Sequence, residues 1–147
     1  MELTTPSSNY EGSPQPSASL PITFDRRFVV VRYHIGHSQL VLRSTPHSTP
    51  DYIEVTFEAV AGMKLVPHYE PLTIDIAEPA LNEEMAKFCG LREPSNTGYR
   101  CYKLESERGD GLVMCAGYRI FLHPREAEGG APTVRHQNSQ LILKSEY

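Results

Sequence analysis

A chain of 147 residues with a net charge of −4 has the length of one domain and carries no basic stripe of the kind a phosphate backbone demands. No apolar run approaches the ~20 residues that cross a bilayer, and the N-terminus shows neither the basic nor the apolar region of a secretory signal. Nucleic-acid binding and membrane association are therefore not expected.

By segment, the net charge is −2 for residues 1–21, −1 for 22–77, −1 for 78–123 and 0 for 124–147, so it is spread along the chain. Cys89, Cys101 and Cys115 make an odd set without a Cys-x-x-Cys pair. A secreted domain of this size would carry a denser disulfide framework, which points to reduced thiols and a cytoplasmic protein.

Residues 1–21 are rich in Pro and Ser and hold almost no apolar side chain before Leu20. Such a stretch cannot offset its ordering entropy and reads as a disordered tail. Residues 124–147 read as a second, flexible tail, in which Leu141-Ile-Leu143 is an isolated apolar triplet. That triplet is open to three readings: an edge strand, a docking segment, or neither. Between the tails, residues 22–123 are enough for one modest core.

From Phe28 to Ile76 short β-rich runs alternate with turn signals. Arg27 to Arg43 reads as a hairpin turning at Ile35-Gly-His-Ser38, with Val29, Val31 and Tyr33 on one face and Phe28, Val30 and Arg32 on the other. Apolar residues on both faces of Phe28–Val31 place that strand inside a sheet. Ser44 to Asp51 is a loop. Ile53, Val55 and Phe57 then point inward while Glu54, Thr56 and Glu58 point outward. Val60 to Val66 leaves strand or bulged strand open, Pro67 to Pro71 is a loop, and Leu72, Ile74 and Ile76 mark another strand. Glu78 to Cys89 is the one predicted helix, with Pro79 suited to its first position and Gly90 to its stop. Its apolar stripe is Leu81, Met85, Phe88 and Cys89, with Asn82, Glu83 and Lys87 on the solvated side. A last hairpin joins Tyr99–Glu105 to a long strand, Leu112–Leu122, across the Asp110-Gly111 turn; Gly117 within it signals a bulge or a close neighbouring backbone. The expected fold is α+β: one curved antiparallel sheet of about six strands with a helix packed on it, and disordered tails at both ends.

No motif fixes a chemistry. His34 and His37 have a spacing that lets two imidazoles converge on a metal ion, but His47, His68, His123 and Cys89 supply no paired third ligand. Cys89 falls at a helix C-terminus, where the dipole disfavours a thiolate, and Cys101 and Cys115 lie in strands as small buried hydrophobes. Acidic pairs such as Glu83-Glu84 and Glu54/Glu58 read as solvated carboxylates, and Arg108-Gly-Asp110 is a coincidental tripeptide in a charged loop. Phosphate-binding glycine loops are absent, and no catalytic residue, metal or cofactor is expected.

The interleaving of tyrosines with Arg32, Arg43, Arg100 and Arg119 has more weight, because interfaces favour these two residue types. The candidate binding residues are Tyr33, His34, His37, Arg43, Tyr52, Tyr69, Arg100 and Tyr102. They suggest a non-catalytic module that binds a protein partner through a sheet face or edge, with a homodimer as one arrangement. An enzyme or small-ligand binder with a pocket of His34, His37 and Glu54 is the second reading, and a metal-binding domain the third.

Phe24-Asp-Arg-Arg-Phe-Val-Val-Val31, His37-Ser-Gln-Leu-Val-Leu-Arg-Ser44, Ile53-Glu-Val-Thr-Phe-Glu-Ala-Val60 and Met63-Lys-Leu65 resemble a group of small uncharacterised bacterial proteins of actinobacterial type. The resemblance spans roughly residues 24–76 and implies no activity to carry over. In strand texture and size the chain is more loosely similar to bacterial toxin-immunity proteins, which implies an acidic domain that acts by binding.

Overall fold

The computed structural model describes residues 20–45, 51–91, 98–124 and 140–145. Most of both predicted tails, and His47 in the loop before Asp51, lie outside them. In chain order the elements are β1 (Ile22–Phe24), β2 (Phe28–His34), β3 (Gln39–Ser44), β4 (Tyr52–Glu58), β5 (Gly62–Lys64), β6 (His68–Tyr69), β7 (Leu72–Ile76), α1 (Pro79–Phe88), β8 (Arg100–Glu105), β9 (Gly111–Cys115), β10 (Gly117–His123) and β11 (Gln140–Lys144). No helix among the described residues is long and apolar enough to cross a membrane.

The α+β class with antiparallel pairing is as expected, but the single curved sheet is not. There are two sheets, one of five strands in the order β1-β7-β8-β9-β5 and one of six in the order β11-β10-β4-β3-β2-β6. The run read as one strand, Leu112–Leu122, breaks at Ala116. Its N–H donates to the Glu58 carbonyl at 3.0 Å, and the two halves enter different sheets. The paired chain bends with it: Ala59 takes a left-handed φ of 54°, costly for a residue with a Cβ, and carries the chain from β4 to β5. β10 thus pairs β4 in one sheet while β9 pairs β5 in the other. The same device joins the opposite corner, where β1 pairs β7 and β2 pairs β6. Pairing therefore closes on itself as a flattened barrel. Closure leaves few unpaired edges for so short a chain.

The core lies between the sheets. Phe28, Leu42, Val55 and Phe57 from one meet Leu72, Ile74, Leu104 and Val113 from the other, all fully buried. Each such side chain contributes roughly 1.5–3 kcal/mol on leaving water. A second, smaller cluster lies on the other side of the five-stranded sheet. Alternation along β8 and β9 turns Cys101 and Met114 to that side, where Met85 and Ala86 of α1 cover them. Pro79 occupies the start of the helix, and Gly90, at φ 78°, ends it. Asn82, expected in solvent, instead accepts the Cys101 N–H at 2.9 Å and ties the helix to β8.

Two further details of the expected hairpin change. A bulge between Val30 and Arg32 resets the alternation, so that Val29 stands opposite Arg43 and Arg32 opposite Val41 on a common face. β2 does lie between β3 and β6, but β6 is two residues long and covers only Phe28 and Val29. One further bond joins the Val30 N–H to the Pro67 carbonyl, and beyond it β2 has no partner strand on that side among the described residues. Of the three readings of Leu141–Leu143, the edge strand is the one adopted: β11 pairs β10, and the buried Ser145 hydroxyl accepts the Tyr118 N–H at 2.8 Å.

Gly111 is a position where the backbone needs the absence of a side chain. A Cβ there would stand 2.2 Å from the Tyr69 hydroxyl oxygen and 3.0 Å from the Lys64 carbonyl oxygen. Tyr69 is fully buried, and its hydroxyl accepts the Val66 N–H at 3.0 Å. Gly111→Ala is expected to lower stability by about 2 kcal/mol through overpacking, seen as a lower urea midpoint with an unchanged slope. Combined with Tyr69→Phe it should cost less than the two losses added, because one clash is removed. Additive losses would show that the hydroxyl is not the obstacle.

Candidate functional site

The face of the six-stranded sheet turned away from the core is where polar and aromatic groups converge. Because Ile53, Val55 and Phe57 fill the core, Tyr52, Glu54, Thr56 and Glu58 point to the opposite side of β4. Register then sets their neighbours: Arg43 of β3 stands opposite Glu54, Glu54 opposite Phe121, and Tyr52 opposite His123. Three central strands thus place Arg43, Tyr52, Glu54, Phe121 and His123 together.

His123 is the centre of this group. Its Nε2 lies 2.5 Å from Glu54 Oε1, and the two side chains are only 6% and 15% exposed. Its ring stacks on Tyr52 at 4.9 Å and on Phe121 at 5.8 Å between centroids. The Arg43 guanidinium sits 5.0 Å from the Tyr52 ring centroid, within cation–π range. The Arg43 Nε is buried with no hydrogen-bond acceptor. In the next row Arg119 Nε lies 3.1 Å from Glu58 Oε2, an ion pair without hydrogen-bond alignment.

Burial opposes ionisation of Glu54. The His123 hydrogen bond and the positive charges of His123, Arg43 and Arg32 outweigh it and hold the carboxyl below its ordinary value. Chemically the group is a pre-built platform. The imidazole is oriented by a carboxylate, as in many catalytic pairs, but it is enclosed by two rings and closed to a diffusing substrate. The thiols are no better placed as nucleophiles. Burial pushes Cys101 up to about 11 and raises Cys89 and Cys115 as well, so none is activated.

Of the residues singled out from sequence, the structure brings Arg43 and Tyr52 together. Tyr33, His34 and His37 lie at the far end of the β2–β3 hairpin, exposed, with the two imidazole centroids 6.1 Å apart. His34 is opposite Gln39 whereas Glu54 is opposite Arg43; four positions along β3 separate them by about 13 Å. The constellation of His34, His37 and Glu54 is therefore not assembled; Glu54 pairs with His123 instead. Tyr69 is wholly interior, and Tyr102 is packed edge-on against Tyr118 at 5.3 Å, between the sheets. Neither reaches the surface. Arg100 is exposed at the start of β8, in the other sheet. Among the described residues no three His, Cys, Asp or Glu side chains are grouped to hold a metal ion.

The sequence reading missed Phe121 and His123 as members of the site. Their signal was present as alternation: Tyr118 and Ile120 face the core, so Arg119, Phe121 and His123 share the other face. What defines the site is a flattened antiparallel barrel carrying a histidine–carboxylate pair in an aromatic and arginine setting. No protein-family model, curated protein or solved structure matches this chain.

Proposed function

We propose that this chain is a non-catalytic, cytoplasmic protein-binding domain whose contact surface is the outer face of the six-stranded sheet around Arg43 and Tyr52. The observation that carries this reading is the stack of Arg43, Tyr52, His123 and Phe121 across β3, β4 and β10. Side chains that already hold one another lose little freedom when a partner arrives, and tyrosine and arginine are the residues in which binding energy concentrates. Three cysteines without a disulfide suit a reducing compartment. A binding role also agrees with the looser likeness to toxin-immunity proteins.

Affinity capture from extracts of the source organism, with wild type and with Arg43→Ala and Tyr52→Ala as baits, tests the reading. A partner retained by the wild type and reduced at least tenfold by either variant is expected, the variants keeping the wild-type circular dichroism. Identical retention by all three baits overturns it.

A further inference from the structure

The β2–β3 hairpin has a property that the segment charges conceal. Residues 26–45 contain four arginines, Arg26, Arg27, Arg32 and Arg43, and no acidic residue, in a chain whose net charge is −4. In the fold Arg26 pairs with Asp51 at 3.8 Å and Arg43 stands opposite Glu54, so the positive charge nearest the open end of the hairpin is that of Arg32.

The same hairpin carries an open edge. β6 covers β2 only at Phe28 and Val29, and one further bond joins the Val30 N–H to the Pro67 carbonyl at 3.2 Å. From Arg32 to His34, β2 is paired on the β3 side alone among the described residues, and Val31, at the bulge, stands opposite no β3 residue. The shortness of this edge, its bulge at Val31 and the charge of Arg32 deter pairing with a like edge, but it remains apolar. It exposes Val31 and Tyr33 at 37% each and runs into Ile35 at 83%.

We propose that the edge of β2 from Val31 to His34 accepts an extended acidic peptide segment of a partner protein as an added strand. The proposal rests on the protein-binding reading above and names the partner's chemistry. Strand addition draws affinity from main-chain hydrogen bonds and specificity from alternate side chains. Here an incoming strand meets apolar side chains at Val31, Tyr33 and Ile35, and positive charge at Arg32 with Arg43 behind it. Alternating apolar and carboxylate residues fit that pattern.

The charge also selects among occupants. A second copy pairing antiparallel through the same edge would bring Arg32 of each chain toward its symmetry mate, with no acid on the hairpin to relieve it. A nucleic acid would meet only four arginines on an otherwise acidic protein, too few for the phosphate contacts such binding rests on.

The test uses the full chain and fluorescein-labelled decapeptides that alternate valine with glutamate or valine with lysine, read by anisotropy. The valine–glutamate peptide is expected to bind at least tenfold more tightly than the valine–lysine peptide, and Arg32→Glu is expected to invert the preference. Methylating the backbone nitrogens of either the valines or the glutamates should cost at least tenfold in one case and little in the other, because an added strand bonds along one side only. Amide hydrogen exchange at residues 31–34 should slow in the complex. Equal binding of the two charge types, equal tolerance of both methylation patterns, tighter binding of a decathymidylate, or a dimer of the free chain with protected β2 amides would each overturn the proposal. So would slowing confined to β4 and β10, a result that leaves the sheet-face reading standing; that reading fails only in the capture experiment.

Discussion

Phe57→Ala is expected to destabilise the domain by about 4 kcal/mol, the range for removing a buried phenylalanine ring. Phe57 is fully buried on β4 and points into the space between the sheets. Its ring lies 6.3 Å from that of Tyr102 on the opposite sheet and 6.2 Å from that of Tyr118 on β10, and those two tyrosines meet edge-on at 5.3 Å. Three aromatic groups thus hold the sheets together at the corner where β4 and β10 leave one sheet and β5 and β9 enter the other. The barrel is tied by hydrogen bonds on both sides of this point, so it cannot collapse into the space the ring leaves. A cavity should remain, and the transfer loss and the cavity loss add. For a domain of about 100 ordered residues this corresponds to a fall in Tm of roughly 15–30 °C. Urea denaturation followed by circular dichroism measures the loss directly. A change under 1 kcal/mol would mean that the sheets do not depend on this contact.

Phe57 was legible as a core residue because strand alternation speaks for itself: Ile53, Val55 and Phe57 are inward, and Glu54, Thr56 and Glu58 are not. The helix was legible for a similar reason, since Pro79 and Gly90 punctuate it. The two-sheet architecture was not. Leu112 to Leu122 is largely apolar on both sides of Ala116, and each side of the break is at least partly buried, so no polar residue marks the bend. At the paired corner the left-handed residue is Ala59, whose type gives no hint of its backbone. The bulge at Val31 is equally silent and shifts the faces of everything after it on β2. Tyrosine is ambiguous by chemistry: Tyr52 joins the outer-face cluster, while Tyr69 and Tyr102 bury ring and hydroxyl together. The site itself depends on pairing β4 with β10. Glu54 and His123 are 69 residues apart in sequence, and only register places them in contact.

His123→Ala is expected to cost about 3 kcal/mol, because it strands a largely buried carboxylate without its partner. Replacing both groups, as Glu54→Leu with His123→Phe, should recover most of that loss; a buried pair exchanged for apolar groups of similar volume is often close to neutral. The single and double variants separate the need for a partner from the worth of the pair. The pH dependence has a defined sign. The folded Glu54 carboxyl lies below its ordinary value of 4.5, so its ionisation stabilises the fold above that pH, and the contribution is lost as pH falls through the lowered folded value. The stability difference between wild type and Glu54→Gln should therefore shrink as the solution is acidified below 4.5. A difference that grows on acidification would show that burial outweighs the His123 and arginine charges. The pair also connects stability to binding. His123 carries the Tyr52 ring, and Tyr52 carries Arg43, so removing the imidazole frees both contact residues at once. His123→Ala should weaken partner capture together with stability, whereas the apolar double variant, which keeps a ring beneath Tyr52, should restore stability and capture in parallel. Restored stability with capture still lost would assign the imidazole itself, and not only its support of Tyr52, to the contact surface.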